Sequence, residues 1–225
     1  MRILILQAGT NHPSNSETLA AAFTDGIRSA APDTQIDTIR IEDLDLAHFT
    51  LAHYDAATDQ GPGYAKMKDM ILAANGVVIA TPIWNFSVPA HLKNLLDRMG
   101  AFGLDAEFRS KGTLKGKAFF FLFTGGAPLP AWKGLMRFTT MHVKEAIRYF
   151  GGSIFGTHFE GKCTTGRGKF GLILNQRPEN LAKAKAKGEK FARRVTRFAA
   201  DGTLPRSIRI ITWFYLKGQR VLAKF

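Results

Sequence analysis

The chain has 225 residues, 45% hydrophobic and 22% charged, which is enough for one packed domain with an appendage and too apolar for wholesale disorder. Its one cysteine, Cys163, excludes a disulfide framework and a cysteine-built metal or iron–sulfur site within one chain, and fits a reducing cytosol. The net charge of +13 is lopsided: residues 1–100 hold 7 Lys/Arg against 11 Asp/Glu, and residues 101–225 hold 24 against 7, which points to an anionic partner for the second half or, more plainly, to solubility.

The apolar run of "MRILILQAG" is too short for a signal peptide, and no run approaches a membrane span, so a cytoplasmic location is expected. "RILILQ" (2–7) reads as a buried strand. In "SETLAAAFTDGIRSAA", Leu19, Ala22, Phe23 and Ile27 share one helical face, with Ser16 as the expected N-cap. "TQIDTIRI" alternates like a second strand. Residues 42–75 are less patterned until a helix follows the Gly-Pro-Gly break at 61–63. "GVVIATP" (76–82) is a third strand, and "PAHLKNLLDRM" a helix with Pro89 in its first turn. "KAFFFLFTGG" makes a fourth strand. "AWKGLMRFTTMHVKEAIRYFGG" reads as one helix closed by Gly151–Gly152, and "SIFGTHFEG" as a fifth strand. A Gly/Lys-rich loop leads to the long helix of "RPENLAKAKAKGEKFARRVTRFAA".

Strands alternating with helices imply a parallel sheet covered on both faces, with ligands bound beyond the carboxyl ends of the strands. Three loops at that edge stand out. The first clusters Thr10, Asn11, Ser14, Asn15 and Ser16 before a helix N-terminus, a place suited to a phosphate or to an ordinary cap. It has neither a P-loop nor a GxGxxG pattern, which favours a single phosphate over a triphosphate or dinucleotide. The second, "PIWNFS", puts Pro82, Ile83, Trp84 and Phe86 beside the amide of Asn85, either as a platform for a heteroaromatic ring or as a loop packed on its own domain. The third, Thr124, Gly125 and Gly126, lets backbone amides approach a ring carbonyl, or simply turns tightly. Taken together the three suit flavin mononucleotide.

"SNSETLA" with "TPIWNFSVPAHLKNLLDRM" also resembles the NAD(P)H-dependent FMN reductase, azoreductase and quinone reductase superfamily, over roughly residues 1–200. Asn11 and His12 stand where some members carry arginine, and Ile83 and Trp84 where many carry methionine or glutamate and tyrosine. The resemblance implies a flavodoxin-like, doubly wound sheet of order 2-1-3-4-5 with helices on both faces. It implies Ser14, Asn15 and Ser16 at the flavin phosphate, Pro82, Ile83, Trp84, Asn85 and Phe86 along the isoalloxazine, and Thr124, Gly125 and Gly126 at its pyrimidine side. It further implies FMN as cofactor, NADPH or NADH as donor, and a quinone, azo compound or free flavin as acceptor. A ping-pong cycle and a homodimer complete the expectation, with no dedicated catalytic acid or base. A flavodoxin-type electron carrier and a flavin-free binding module are the alternatives.

Among other candidates, His12 sits in the first loop, His91 and His142 on helices, and His158 at the end of the fifth strand. Cys163 is a candidate reactive thiol, and Glu160 is expected to be solvent-exposed. No cluster has metal-ligand spacing. A domain at 1–202 followed by an extension at 203–225 is expected. In that extension Arg206, Arg209, Lys217, Arg220 and Lys224 fall within roughly 80° of a helical wheel. Ile208, Ile211, Phe214, Tyr215, Leu222 and Phe225 fill the rest. The pattern suits a helix lying on an anionic membrane, peripheral on its inner face and near bilayer quinones, or one packed on protein. Nucleic acid is disfavoured, for no base-reading motif accompanies the charge.

Overall fold

In the computed structural model, the five apolar runs form β1 (Arg2–Gln7), β2 (Gln35–Arg40), β3 (Gly76–Pro82), β4 (Ala118–Thr124) and β5 (Ser153–Glu160). All residues are described except Ala56, Phe108, Ser110, Arg167, Gly168, Phe170 and 223–225, and for 219–222 the backbone alone is described. The strands are parallel and ordered β2-β1-β3-β4-β5, the flavodoxin-like order expected. β3 and β4 are buried at nearly every position, as their unbroken apolar runs require of central parallel strands. β2 is half-exposed and lies at an edge.

Helices cover both faces. On one side α1 (Asn15–Ala30) and α6 (Pro178–Asp201) pack over Ile3, Ile5, Val78, Phe120 and Leu122. On the other, α2 (Pro62–Ala73), α3 (Ala90–Gly103) and α5 (Met141–Tyr149) cover Leu4, Leu6, Val77, Ile79, Phe119 and Phe121. Gly202, at φ 71°, closes α6, and α7 (Arg206–Leu222) follows.

Three expected boundaries are corrected. The N-cap of α1 is Ser14, not Ser16: its Oγ accepts from the Glu17 N–H, and the Glu17 side chain reaches back to the Ser14 N–H, a reciprocal capping box. Pro89 caps α3 rather than starting its first turn. The single helix expected over 131–152 is three pieces: α4 (Leu129–Lys133), a 3-10 segment (Met136–Thr140) and α5. Gly134 leaves helical geometry at ψ −118° and breaks the run, which the local periodicity does not record.

The "LKNLLDRM" stretch has a structural task. Asn94 Oδ1 accepts from the Phe49 N–H at 2.8 Å. One turn on, the fully buried Arg98 donates to the Gln60 carbonyl at 2.7 Å and lies 5.1 Å over the Tyr64 ring. Two polar residues of α3 thus hold the weakly patterned 46–60 segment in place.

Candidate functional site

The loops after β1, β3 and β4 meet at the carboxyl edge of the sheet around a cleft of about 620 Å³. Its walls include Ser14, Asn15, Ser16, Pro82, Ile83, Trp84, Asn85, Thr124, Gly125 and Gly126. Phe86 stands outside this wall. Its ring is 67% exposed and borders a smaller adjoining hollow with Ala127, Trp132, Met136 and Phe159.

The β1 loop turns straight into α1. Ser14 Oγ and Ser16 Oγ lie 3.2 Å apart, both residues buried. Gly9 makes this possible, for a Cβ there would come within 2.8 Å of Ser16 Oγ and 3.0 Å of Ser14 Oγ. The first N–H groups of α1 have no intrahelical acceptor and point toward the cleft end of the helix dipole. The Asn15 side chain also anchors a loop. It donates to the Gly171 carbonyl at 2.8 Å and accepts from the Ile173 and Leu174 N–H groups at 2.9 and 3.0 Å. Its amide pins the distant 171–174 segment against the cleft, which Asn15 also lines. His12 is exposed and pairs with Glu17 at 2.9 Å. Arg40, from the end of β2, donates to the Gly9 and Thr10 carbonyls at 3.3 and 3.4 Å and steadies the loop.

The "WNFS" turn is a two-residue hairpin. Trp84 and Ser87 exchange backbone hydrogen bonds at 2.8 and 2.9 Å, and Asn85 and Phe86 both take positive φ, 48° and 64°. Two successive positive φ values are the type I′ signature, natural for Asn and strained for Phe. Strain of this sort concentrates at functional turns. The Ile83 N–H donates to the Thr124 carbonyl at 2.8 Å and ties this turn to the β4 loop. The Gly125 N–H donates to the Glu160 carbonyl at 3.0 Å. Among the described residues no acceptor meets the Gly126 N–H.

Sequence reading missed three contributors. Gly9 acts only by leaving room for the serines, and Gly171 and Cys163 line the cleft. The Cys163 thiol faces the Glu160 and Gly161 carbonyls at 3.4 and 3.6 Å. Burial pushes its pKa up to about 11, so it is a neutral donor rather than a reactive thiolate. Glu160 is also corrected: it is buried, accepts from Asn180 Nδ2 at 2.7 Å, and lies 2.9 Å from His158 Nε2. Burial raises its pKa, but His158, Asn180 and Lys187 outweigh that and hold it below the ordinary carboxylate range. These groups border a second, basic cavity along β5. His91 Nε2 is satisfied by the Ala8 carbonyl at 3.0 Å. No group of three His, Cys, Asp or Glu among the described residues is arranged to hold a metal.

A cradle of hydroxyls and helix N–H groups, an aromatic turn with one amide, and a glycine rim around one cleft suit a planar ligand bearing a single phosphate. Flavin mononucleotide fits these residues, and the space that Gly9 leaves for converging serines is the feature that any larger residue would fill. Comparisons with known proteins bear on the same edge. A family model of flavodoxin-like fold (Flavodoxin_2) matches residues 1–168. The FMN-dependent NADH:quinone oxidoreductase of Sinorhizobium medicae is 30% identical over 166 residues, covering 67% of this chain and 81% of that protein. An FMN-dependent NADH:quinone oxidoreductase of Bradyrhizobium diazoefficiens is 30% identical over 122 residues, with 50% of this chain and 60% of the relative covered. Two solved structures share the fold. The NAD(P)H:quinone oxidoreductase of Methanothermobacter marburgensis has TM-score 0.66 at 19% identity, covering 84% of this chain and 95% of that one. An FMN-dependent NADH-azoreductase of Bacillus anthracis, solved with FMN, has TM-score 0.63 at 15% identity, covering 88% and 100%. The chain belongs to the flavodoxin-like superfamily of FMN reductases, azoreductases and quinone reductases.

Proposed function

We propose that this protein is an FMN-dependent oxidoreductase that takes reducing equivalents from NADH or NADPH and passes them to a quinone, azo compound or free flavin. The observation that carries the reading is the convergence of the three loops on one cleft, with the N-terminus of α1 and its serines at one end and Pro82, Ile83 and Trp84 at the other. FMN, when bound, supplies the two-electron redox chemistry. The chain supplies orientation. The first N–H groups of α1 and the Ser16 hydroxyl hold the phosphate. Pro82, Ile83 and Trp84 cover apolar ring surface and exclude water. Asn85 offers a donor and an acceptor to the ring edge, and the Gly126 N–H offers a donor to a ring carbonyl. Donor and acceptor share the one open face in turn, so the kinetics are ping-pong and need no dedicated acid or base.

The active form is a homodimer. Phe86, Leu135, Phe138 and Met141 are 67, 83, 52 and 44% exposed, and a partner subunit would cover these apolar side chains. Sedimentation of Leu135→Ser/Phe138→Ser should show monomers.

The deciding experiment is the visible spectrum of the purified protein reconstituted with FMN, before and after anaerobic NADH or NADPH, then with a soluble quinone. Bound flavin that bleaches and recovers supports the reading. Flavin that stays oxidised with both donors indicates an electron carrier fed by another reductase. A protein that takes up no FMN removes the proposal.

A further inference from the structure

The helix that the cleft does not use is α7. It docks through one narrow face: Ile208 is 8% exposed, and Tyr215 Oη donates to the Glu145 carbonyl at 3.5 Å. An apolar-lined cavity of about 350 Å³ remains beneath it, between Ile208, Ile211 and Leu204 and the start of β5. The opposite face is open and is not polar. Ile210, Trp213 and Phe214 are 56, 50 and 64% exposed. Arg206, Arg209 and Lys217 are interleaved with them, and Lys217 Nζ lies 4.2 Å from the Trp213 ring. Arg220 shares this sector by sequence, but its side chain lies outside the described residues, as do Leu222, Lys224 and Phe225.

We infer that this outer face of α7 is a docking surface for an anionic lipid bilayer. Aromatics flanked by cations on one helical face match the interface between headgroups and acyl chains. There Trp, Phe and Ile enter the apolar boundary while Arg and Lys meet lipid phosphates. The helix carries no acid. Nearby, Lys115 and Arg148 border the cavity under it, Glu145 is already paired with Arg148, and Asp201 closes the preceding helix. This charge pattern disfavours a second copy, because a two-fold contact would oppose like cations. It also disfavours nucleic acid, which offers nothing to Ile210. No helix among the described residues is long and apolar enough to cross a membrane, so attachment through α7 is interfacial.

The position of α7 corrects one expectation. It lies against Ser153 and Ile154, at the opening end of β5, whereas the cleft lies past the carboxyl ends of the strands. The two are separated by most of a strand, roughly 20 Å. The helix therefore tethers the protein with the cleft facing water; it does not deliver the cleft to quinones within the bilayer.

The test uses the full-length protein in co-sedimentation with phosphatidylcholine vesicles and with vesicles containing about 30% phosphatidylglycerol. The anionic vesicles should bind at least about tenfold more protein, with a blue shift of Trp213 fluorescence read against Trp213→Phe. Ile210→Ser/Phe214→Ser and Arg209→Glu/Lys217→Glu change only exposed positions; circular dichroism checks that each stays folded. Each should lower binding about tenfold or more. Wild type that ignores anionic vesicles overturns the inference, as does binding that either folded variant retains. Loss of a dimer in Ile210→Ser/Phe214→Ser without any vesicle binding by wild type assigns the face to a second copy instead.

Discussion

Helices α6 and α7 are neighbours with the same vocabulary, Lys and Arg set among apolar residues, yet they do opposite things. α6 is locked onto α1 backbone to backbone. A Cβ at Gly26 would meet the Lys185 carbonyl oxygen at 1.9 Å, and one at Gly188 would meet the Phe23 carbonyl oxygen at 2.0 Å. Around this crossing Ala184, Phe191, Ala192 and Val195 are at most 2% exposed. α7 has no such crossing. It buries Ile208, spans a cavity, and leaves Trp213 and Phe214 in water. A basic amphipathic pattern therefore says little about attachment. Small residues at the right register decide whether a helix becomes part of the core or stays on its surface.

The sharpest way to break the contrast is Gly188→Val. With no room for any side chain, it should cost about 4 kcal/mol or more, seen as insoluble protein or a fall of roughly 10 °C in Tm. The cleft is held more locally. Asn15→Ala removes three hydrogen bonds to the 171–174 segment and should weaken FMN binding by about 30-fold, equivalent to about 2 kcal/mol, as read by flavin fluorescence titration.

A pH series gives an effect of similar size. Cys163 is neutral in the folded protein up to about 11, against an ordinary value of 9.0. The stability tied to its burial is complete below pH 9 and is lost as pH rises through 9 to 11, by about 2 kcal/mol. Urea unfolding at pH 8 and pH 11 should show a drop that is smaller by that amount in Cys163→Ala. The smallest effect belongs to α7: Phe214→Ser should change stability by no more than about 0.5 kcal/mol and Tm by about 1–2 °C. A large loss there would mean that α7 is as integral as α6.

Much of the site was legible before any coordinates. The serines at 14 and 16, the "PIWNFS" stretch and the paired glycines lie at the ends of apolar runs, and parallel topology sends all such ends to one edge. The exceptions share a cause. Asn15 spends its amide on residues 156 to 159 positions away, Gly125 gives its N–H to Glu160, and Glu160 is buried by His158 and Asn180. The bonds of Asn15, Gly125 and Asn180 join positions 20 or more residues apart and are invisible to periodicity. The helix expected over 131–152 failed for a local reason, Gly134, whose effect a strong flanking pattern masked.

Apolar runs and turn residues were enough to settle the five strands, their parallel class and the three loops at the carboxyl edge, because burial of a continuous apolar run leaves few other outcomes. They also marked residues 206–225 as a basic amphipathic segment, which is helical over Arg206–Leu222. Which face of that helix docks, its place at the pole opposite the cleft, and which polar side chains hold loops emerged only in the folded chain. Those outcomes depend on which distant groups meet, and hydrophobic spacing encodes how much a residue is buried but not against what.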